Sequence, residues 1–460
     1  MMKNTLIYGD DCALTAAKYI EIARKIESLI EIGHYPVGGK LPTHRALADE
    51  FSTTAVTVAK AYARLVETGH IESFVGRGSY VKKLPELKQV IQSQLRDKDK
   101  NFSILQPCFT TQLSQLQNQF KQIFQQMLNA QLFSYCDDTG TLAHKEAGRL
   151  WCEKYGLGAT GAEQMLLTNG AQQALSSLIE CYSKEGDYIA LEAQTYPGII
   201  AIVKTLGRKP IAVAMDESGM RDDALIDVCE QYAPSMVVLV PSHQNPTTIT
   251  MPLARRQAIA KVVQQYPIWL LEDDIYAFLN DEVVPAITNF VPEKSFYISS
   301  LSKAISPGIR CGFIKAPQSQ VSHLSDYIRT MIWHASPFMF ECAEQLICSE
   351  MAFDMAHEQK QIANKRQGLA SQILRQQLPD LAFQSQSSSY HIWLTLPRAW
   401  QGDEFVQVAK ERGLLVSAGK FFNVDSQERP CIRISLMAIA EEEAFKEGLK
   451  QLVALIHERC

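Results

Sequence analysis

Paired cysteines, metal-ligand clusters and long apolar runs are all missing from these 460 residues. The 11 cysteines are odd in number and scattered, with no Cys-x-x-Cys pair, which argues against a disulfide framework or a zinc site and for reduced thiols in a cytoplasm. No His/Cys group has metal-ligand spacing, so no metal is expected. No apolar run approaches the ~20 residues that span a bilayer, and Met-Met-Lys-Asn-Thr-Leu-Ile-Tyr-Gly-Asp-Asp lacks the apolar core of a secretory signal. A cytoplasmic protein with no membrane partner is expected. Internal repeats and disordered tracts are absent as well. What remains, 46% hydrophobic and 21% charged, is the composition of a folded globular chain, long enough for two or three domains. Its net charge of −5 divides into +2 over residues 1–83 and −7 over the rest. A unit at +2 permits contact with nucleic acid without arguing for it.

The first 83 residues read as a compact helical unit. Tyr19, Ile22, Ile26, Leu29 and Ile30 keep helical spacing, predicting a helix from Leu14 to Ile32 that Gly33 closes. Thr43 is placed to cap a short helix, His44 to Phe51, burying Ala46, Leu47 and Phe51. Ser52-Thr53-Thr54 then turn, and Thr54 can cap a third helix that buries Val58, Tyr62 and Leu65 and ends at Gly69. Ile71 to Val81 reads as a hairpin turning through Gly76-Arg77-Gly78. Three helices, the last two joined by a tight turn, then a small β wing make a winged helix-turn-helix over residues 14–83. Its third helix enters the major groove of double-stranded DNA and brings Ala55, Val56, Thr57 and Lys60 near the bases. Thr43 and Arg45 suit phosphate, Thr54 is a further DNA-contact candidate, and Arg77 on the wing reaches minor groove or backbone.

Residues 84–101, with Pro85 and the charged run Arg96 to Lys100, read as a linker. Leu113 to Phe133 follows as a glutamine-rich amphipathic helix with Leu116, Phe120, Ile123, Phe124 and Met127 on its apolar stripe.

Beyond the linker, several strand ends converge on one chemistry. Phe296-Tyr297-Ile298 reads as a buried strand, small residues open a turn carrying Lys303, and Pro307-Gly308 lead to Arg310. A lysine on such a turn can condense with an aldehyde, and pyridoxal 5'-phosphate (PLP) is the common cofactor that needs one. Ser300 suits its phosphate by hydroxyl and Arg310 by guanidinium fork. Glu272-Asp273-Asp274-Ile275-Tyr276 follows the apolar run Ile268 to Leu271, at the sheet edge where open α/β folds bind ligands. Asp273 supplies the anion that keeps a pyridine nitrogen protonated; Tyr276 and Asn245 suit its phenolate oxygen. At Thr168-Asn169-Gly170-Ala171-Gln172 a strand turns into a helix, and the backbone around Gly170, Ala171 and Gln172 forms a phosphate cup. Tyr196, ending the next strand, can stack on the ring. Each feature alone is ordinary strand-end polarity; their chain order makes coincidence a poor explanation. Cys342 to Leu378 carries a long helical pattern into a smaller C-terminal part with strands at His391–Leu394, Leu414–Val416 and Cys431–Ser435. Arg433 lies in an otherwise apolar strand, where an unpaired charge is expensive.

Asn-Gly-Ala-Gln, Thr-Tyr-Pro-Gly, Asn-Pro-Thr, Glu-Asp-Asp-Ile-Tyr, Ser-Leu-Ser-Lys and Ile-Arg-Ile-Ser, in that order, make residues from about 100 to 457 resemble the aspartate-aminotransferase-like PLP enzymes. Leu-Pro-Thr-His-Arg-Ala-Leu-Ala, Thr-Val-Ala-Lys-Ala-Tyr and Gly-Arg-Gly-Ser-Tyr-Val resemble GntR-type domains. The whole resembles a MocR-type regulator, the GntR-family branch carrying an aminotransferase-like domain. That resemblance implies a large PLP domain at 102–340, with a mixed, mostly parallel sheet between helices, and a connecting helix plus small α/β domain at 341–460. It implies that Arg433 binds an amino-acid carboxylate, that Tyr135 reaches the phosphate in a neighbouring subunit, and that the protein is a homodimer. The expected function is PLP-dependent transcriptional regulation, with operator DNA as one partner and an amino acid or amine effector as the other. The alternative is a working aminotransferase with an accessory N-terminal domain, since Lys303, Asp273 and Arg433 are all present. Ala55 stands where GntR domains usually carry arginine, His144-Lys145 replace a leucine-arginine pair, and Thr248 replaces the glycine of Asn-Pro-Thr-Gly.

Overall fold

The computed structural model of the chain describes residues 18–31, 34–36, 38–67, 70–74, 78–81, 99–109, 112–127, 135, 139–425 and 430–459. It divides into two compact units, 1–88 and 89–460.

In the first unit, α1 (Lys18–Glu31), α2 (His44–Glu50) and α3 (Ala55–Glu67) precede an antiparallel pair of strands, Ile71–Phe74 and Gly78–Val81. Ile22, Ile26, Leu47, Ala48, Val58, Ala61, Tyr62, Leu65, Ile71 and Val81 share one core. Thr43 caps α2 by accepting from the Ala46 amide at 3.3 Å, and Thr54 accepts from the Thr57 amide at 3.2 Å to start α3. The expected inward face of α2 is off by two residues. Ala46 is exposed beside Arg45, Ala48 is buried in its place, and Phe51 is only half-buried. A helix starting at His44 points 47, 48 and 51 to one side, so 46 falls outside the stripe. The wing gains an edge from the preceding loop, where the Leu41 amide donates to the Ser79 carbonyl at 2.8 Å. Residues 14–17, Gly33, Gly69 and the wing tip with Gly76 and Arg77 lie outside the described residues.

The second unit is built on a seven-stranded sheet in the order Met165–Thr168, Gly312–Lys315, Ser295–Ser300, Trp269–Asp273, Met236–Leu239, Tyr188–Glu192, Lys209–Val213. Gly312–Lys315 runs antiparallel to both neighbours, and the other neighbouring pairs are parallel. This is the mixed, mostly parallel sheet expected. Because helices pack on both faces, its strands are largely buried except for the outermost, Lys209–Val213, of which only Val213 is buried. Parallel strands place Glu192, Asp273 and Ser300 at one edge, and Thr168 joins them there.

A four-stranded sheet, Phe383–Gln384, His391–Thr395, Cys431–Ser435 and Ser417–Ala418 in that order, forms the smaller part. Here three readings change. The long helical pattern is two helices, Pro337–Cys348 and Met351–Gln377, broken at Glu350, whose φ of +64° no α-helix accommodates. The boundary at 341 therefore falls inside a helix. Leu414–Leu415 pairs with Lys100–Asn101, residues read as the end of the linker, and Val416 lies outside both short strands. Phe124, expected on the buried stripe of the helix Gln112–Met127, is 39% exposed while Leu116 and Ile123 are buried. Among the described residues no helix is long and apolar enough to cross a membrane.

Candidate functional site

Strand geometry brings the expected residues to one place. Asp273, at the end of the central strand Trp269–Asp273, is 2% exposed and its Oδ1 has no hydrogen-bond partner. Burial, reinforced by the neighbouring Asp274 carboxylate and opposed by Lys303, pushes its carboxyl up to about 7. Lys303 follows the adjacent strand Ser295–Ser300 and donates from Nζ to the Leu105 carbonyl at 2.7 Å. Burial, together with the positive charges of Arg433 and Arg310, holds its amine down to about 8 despite Asp273. Tyr196 and Tyr276 both lie within the electrostatic reach of Asp273 and Arg433.

Asp273 also governs part of the pH response. Its folded value near 7 exceeds the ~4 of an unfolded aspartate. Between those values the folded chain binds more protons, so this contribution to stability is full below about pH 4 and lost as pH rises through 7. Asp273→Asn should flatten that part of the apoprotein's denaturant-midpoint curve. A variant midpoint that falls as steeply as the parent's from pH 4 to 7 would assign the effect to other groups.

Gly170 turns the strand Met165–Thr168 into the helix Ala171–Cys181 at a φ of +84°, a conformation glycine adopts without strain. A Cβ there would stand 2.9 Å from Arg310 Nη2, which itself donates to the Asn169 carbonyl at 2.7 Å. Ala171 and Gln172 open the first turn. Gly312 is as tightly specified, since a Cβ would meet the Gly170 carbonyl carbon at 2.6 Å and the Ala171 nitrogen at 2.9 Å. Ser300 is committed elsewhere than expected. Its hydroxyl is 2.9 Å from the Cys311 carbonyl and 3.0 Å from Ser302 Oγ, and it accepts from the Ser302 amide. Ser302, less buried and on the same turn, was missed.

Arg433 is 2% exposed. Its Nη1 donates to Asn245 Oδ1 at 2.9 Å, its Nη2 to the Ser103 carbonyl and to Ser417 Oγ at 3.2 Å, and its Nε has no partner. No carboxylate pairs with it among the described residues, so it is not a structural salt bridge. Burial lowers its guanidinium to about 10. Because Asn245 accepts through Oδ1, its amide nitrogen points elsewhere. The preceding residue, Gln244, is held by a buried network: its Nε2 donates to Glu192 Oε2 at 3.0 Å, Thr247 donates to its Oε1, and His391 Nε2 meets its carbonyl at 3.2 Å. Thr248, where the resemblance leads one to expect glycine, takes a left-handed φ of +66°, a region that glycine favours.

Ser103, Leu105 and Tyr390 join the site with no sequence signal. Ser103 and Leu105 contribute only carbonyls, and Tyr390 donates its hydroxyl to the Lys303 carbonyl at 2.8 Å. Gly198 lies under Tyr196, whose ring a Cβ would enter at 2.2 Å. Tyr135 is not brought to this cluster. It is 82% exposed, with its ring 5.7 Å from those of Trp333 and His334. His144 replaces the expected leucine as a double cap with Thr141 and meets Glu341 at 3.1 Å.

In the first unit Thr43, Arg45, Thr54 and Lys60 are exposed, and Thr57 is half-buried with its hydroxyl 2.8 Å from that of Thr54.

Residues 99–452 match the aminotransferase class I and II family, and residues 18–81 match the bacterial regulatory proteins of the gntR family. The chain belongs to the aminotransferase class I and II family and carries a gntR-family domain before it. Its architecture is that of the MocR-like regulators. The uncharacterized HTH-type transcriptional regulator YdeF of Bacillus subtilis is 25% identical over 444 residues, 95% of this chain and 94% of its own. The 2-aminoadipate transaminase of Thermus thermophilus is 25% identical over 297 residues, 63% of this chain and 74% of its own. A crystal structure of an archaeal alanine:glyoxylate aminotransferase superposes with a TM-score of 0.76 at 21% identity, covering 82% of this chain and 96% of that one. At that identity the likeness is one of fold.

Proposed function

We propose that this GntR-family regulator is PLP-dependent, that its first unit binds operator DNA, and that its aminotransferase-like unit senses an amino acid or amine. The observation that carries the reading is the environment of Arg433. A buried guanidinium that stacks on the Phe422 ring at 5.0 Å, donates only to neutral oxygens among the described residues, and leaves its Nε–H unused is suited to an incoming carboxylate. Its charge acts on Lys303, Tyr196 and Tyr276, and all three also feel the charge of Asp273.

The residues present fit PLP. When bound, PLP supplies an aldehyde that exchanges amines and a ring that withdraws electrons while its nitrogen is protonated. Asp273 holds the proton on that nitrogen, and its open Oδ1 is the acceptor required. Tyr276 and the Asn245 amide donate to the phenolate oxygen, while Tyr196 covers the ring. The backbone at Gly170, Ala171 and Gln172, with Arg310, Ser302 and the already engaged Ser300, receives the phosphate. Lys303, with its amine lowered to about 8, spends a useful fraction of time as the neutral nucleophile near neutral pH. Arg433 orients an effector through its carboxylate. The active form in this reading is a cytoplasmic homodimer in which the exposed Tyr135 serves the partner's phosphate site.

The test is an absorption scan of the purified chain, repeated during titration with amines and amino acids, alongside binding to labelled operator DNA. A colourless protein that PLP does not reconstitute would contradict the cofactor assignment. On the DNA side, Arg45→Ala and Arg77→Ala should each weaken binding to all sequences and lower the salt slope by about 1, as expected of a phosphate contact. Unchanged affinity and slope in the double variant would place the DNA surface elsewhere.

A further inference from the structure

We infer that Val56 reads the 5-methyl group of a thymine, so that each half-site of the operator carries a thymine facing the first turn of α3. The inference rests on the DNA-binding reading above and specifies what that helix recognises.

The inward face of α3 is filled by Val58, Ala61, Tyr62 and Leu65. Its outward face begins with Val56, 67% exposed, and continues one turn later with Lys60. Recognition helices of this class meet base edges with their N-terminal residues. Here that first turn has few polar groups to offer. Ala55 has none, and the Thr57 hydroxyl is 2.8 Å from the Thr54 hydroxyl, which also accepts from the Thr57 amide at 3.2 Å. That pairing turns the Thr57 oxygen toward the cap. Val56 therefore leads with methyl groups where a donor or acceptor would have been expected. Among the four bases, thymine alone presents an apolar group at the major-groove edge, its C5-methyl. A β-branched residue in an exposed helix position gains nothing from helix propensity. Lys60, one turn on, supplies charge and leaves the apolar contact to Val56.

The experiment exchanges the methyl on the DNA. The full-length chain selects binding sites from random-sequence duplexes, and the selected site is remade with deoxyuridine replacing thymidine at one position at a time. At one thymine of each half-site the exchange should weaken binding by about fourfold, the worth of one methyl removed from water. Val56→Ala, which changes an exposed residue and should retain the parent's circular dichroism and melting, should bind the thymine and uracil versions of that position equally. Two results overturn the inference while leaving DNA binding intact: a selected site indifferent to uracil at every position, or a Val56→Ala chain that keeps the parent's sensitivity at every position. If the chain selects no site, both the inference and the DNA-binding reading fall together.

Discussion

Replacing Lys303 with alanine should abolish the visible absorption of the PLP-loaded protein and all cofactor label fixed by borohydride, while the fold survives. The loss should be complete because no other lysine is described at the end of Ser295–Ser300, beside both the open Asp273 oxygen and Arg433. The side chain makes one hydrogen bond, to the Leu105 carbonyl, and its charge is disfavoured by burial and by Arg433. Truncation therefore removes a costly group from the apoprotein, and stability should hold or rise slightly. The phosphate contacts proposed at Gly170 and Arg310 do not involve Lys303, so weak noncovalent PLP binding should persist. Peptide mapping after borohydride treatment checks the claim. A labelled peptide without Lys303 in the parent, or undiminished label in the variant, would reject the lysine assignment.

Arg433→Ala should separate the two signals that the proposed sensor would receive, an amino acid and PLP itself. Without the guanidinium, an amino acid loses its carboxylate partner, and any effect of amino acids on operator affinity should vanish or need at least tenfold more ligand. A response to PLP itself should survive, because Asp273, Lys303 and the Gly170 turn are untouched. The Ser103 carbonyl and Asn245 lose a donor, so some local loosening is expected. A chain whose operator affinity still responds to the same amino acid at unchanged potency would end the carboxylate-grip account.

The coupling that the sensor needs is small. Effector binding commonly shifts a second affinity by ~1–3 kcal/mol, so full turnover of an amino acid is unnecessary. Ligand must favour one state of the protein over another for any shift to occur. The Ser103 and Leu105 carbonyls are suited to that role, since they occupy the donors of Arg433 and Lys303 that a carboxylate and a cofactor would engage.

What could be read beforehand follows a physical line. Asp273 and Lys303 were legible because parallel strands send their C-terminal residues to one edge, so chain order alone assembled the cluster. Gly170 was legible because its turn demands a positive φ. Ser103 and Leu105 were not, because a carbonyl is the same on every residue. The pairing of Lys100–Asn101 with Leu414–Leu415 joins residues more than 300 positions apart, and two-residue strands have no periodicity to detect. The break at Glu350 was hidden because the apolar spacing continues across it, and only the backbone reverses. Ala46 was misplaced because Ala46 and Ala48 are the same residue type, and only the register of a seven-residue helix distinguishes them. Ser300 shows a different limit: it ends the strand Ser295–Ser300, but its hydroxyl is engaged by Cys311 and Ser302.

The most direct test of the sensor reading is the affinity of the full-length chain for its selected operator, measured at one salt concentration as apoprotein, with PLP, and with PLP plus each of a panel of amino acids. The account predicts that at least one amino acid changes the affinity of the PLP-loaded chain by roughly 5- to 150-fold, and that Arg433→Ala loses that change. Equal affinity in every state, accompanied by steady transamination of one of those amino acids, would instead make the aminotransferase-like unit a working enzyme and contradict its role as a sensor.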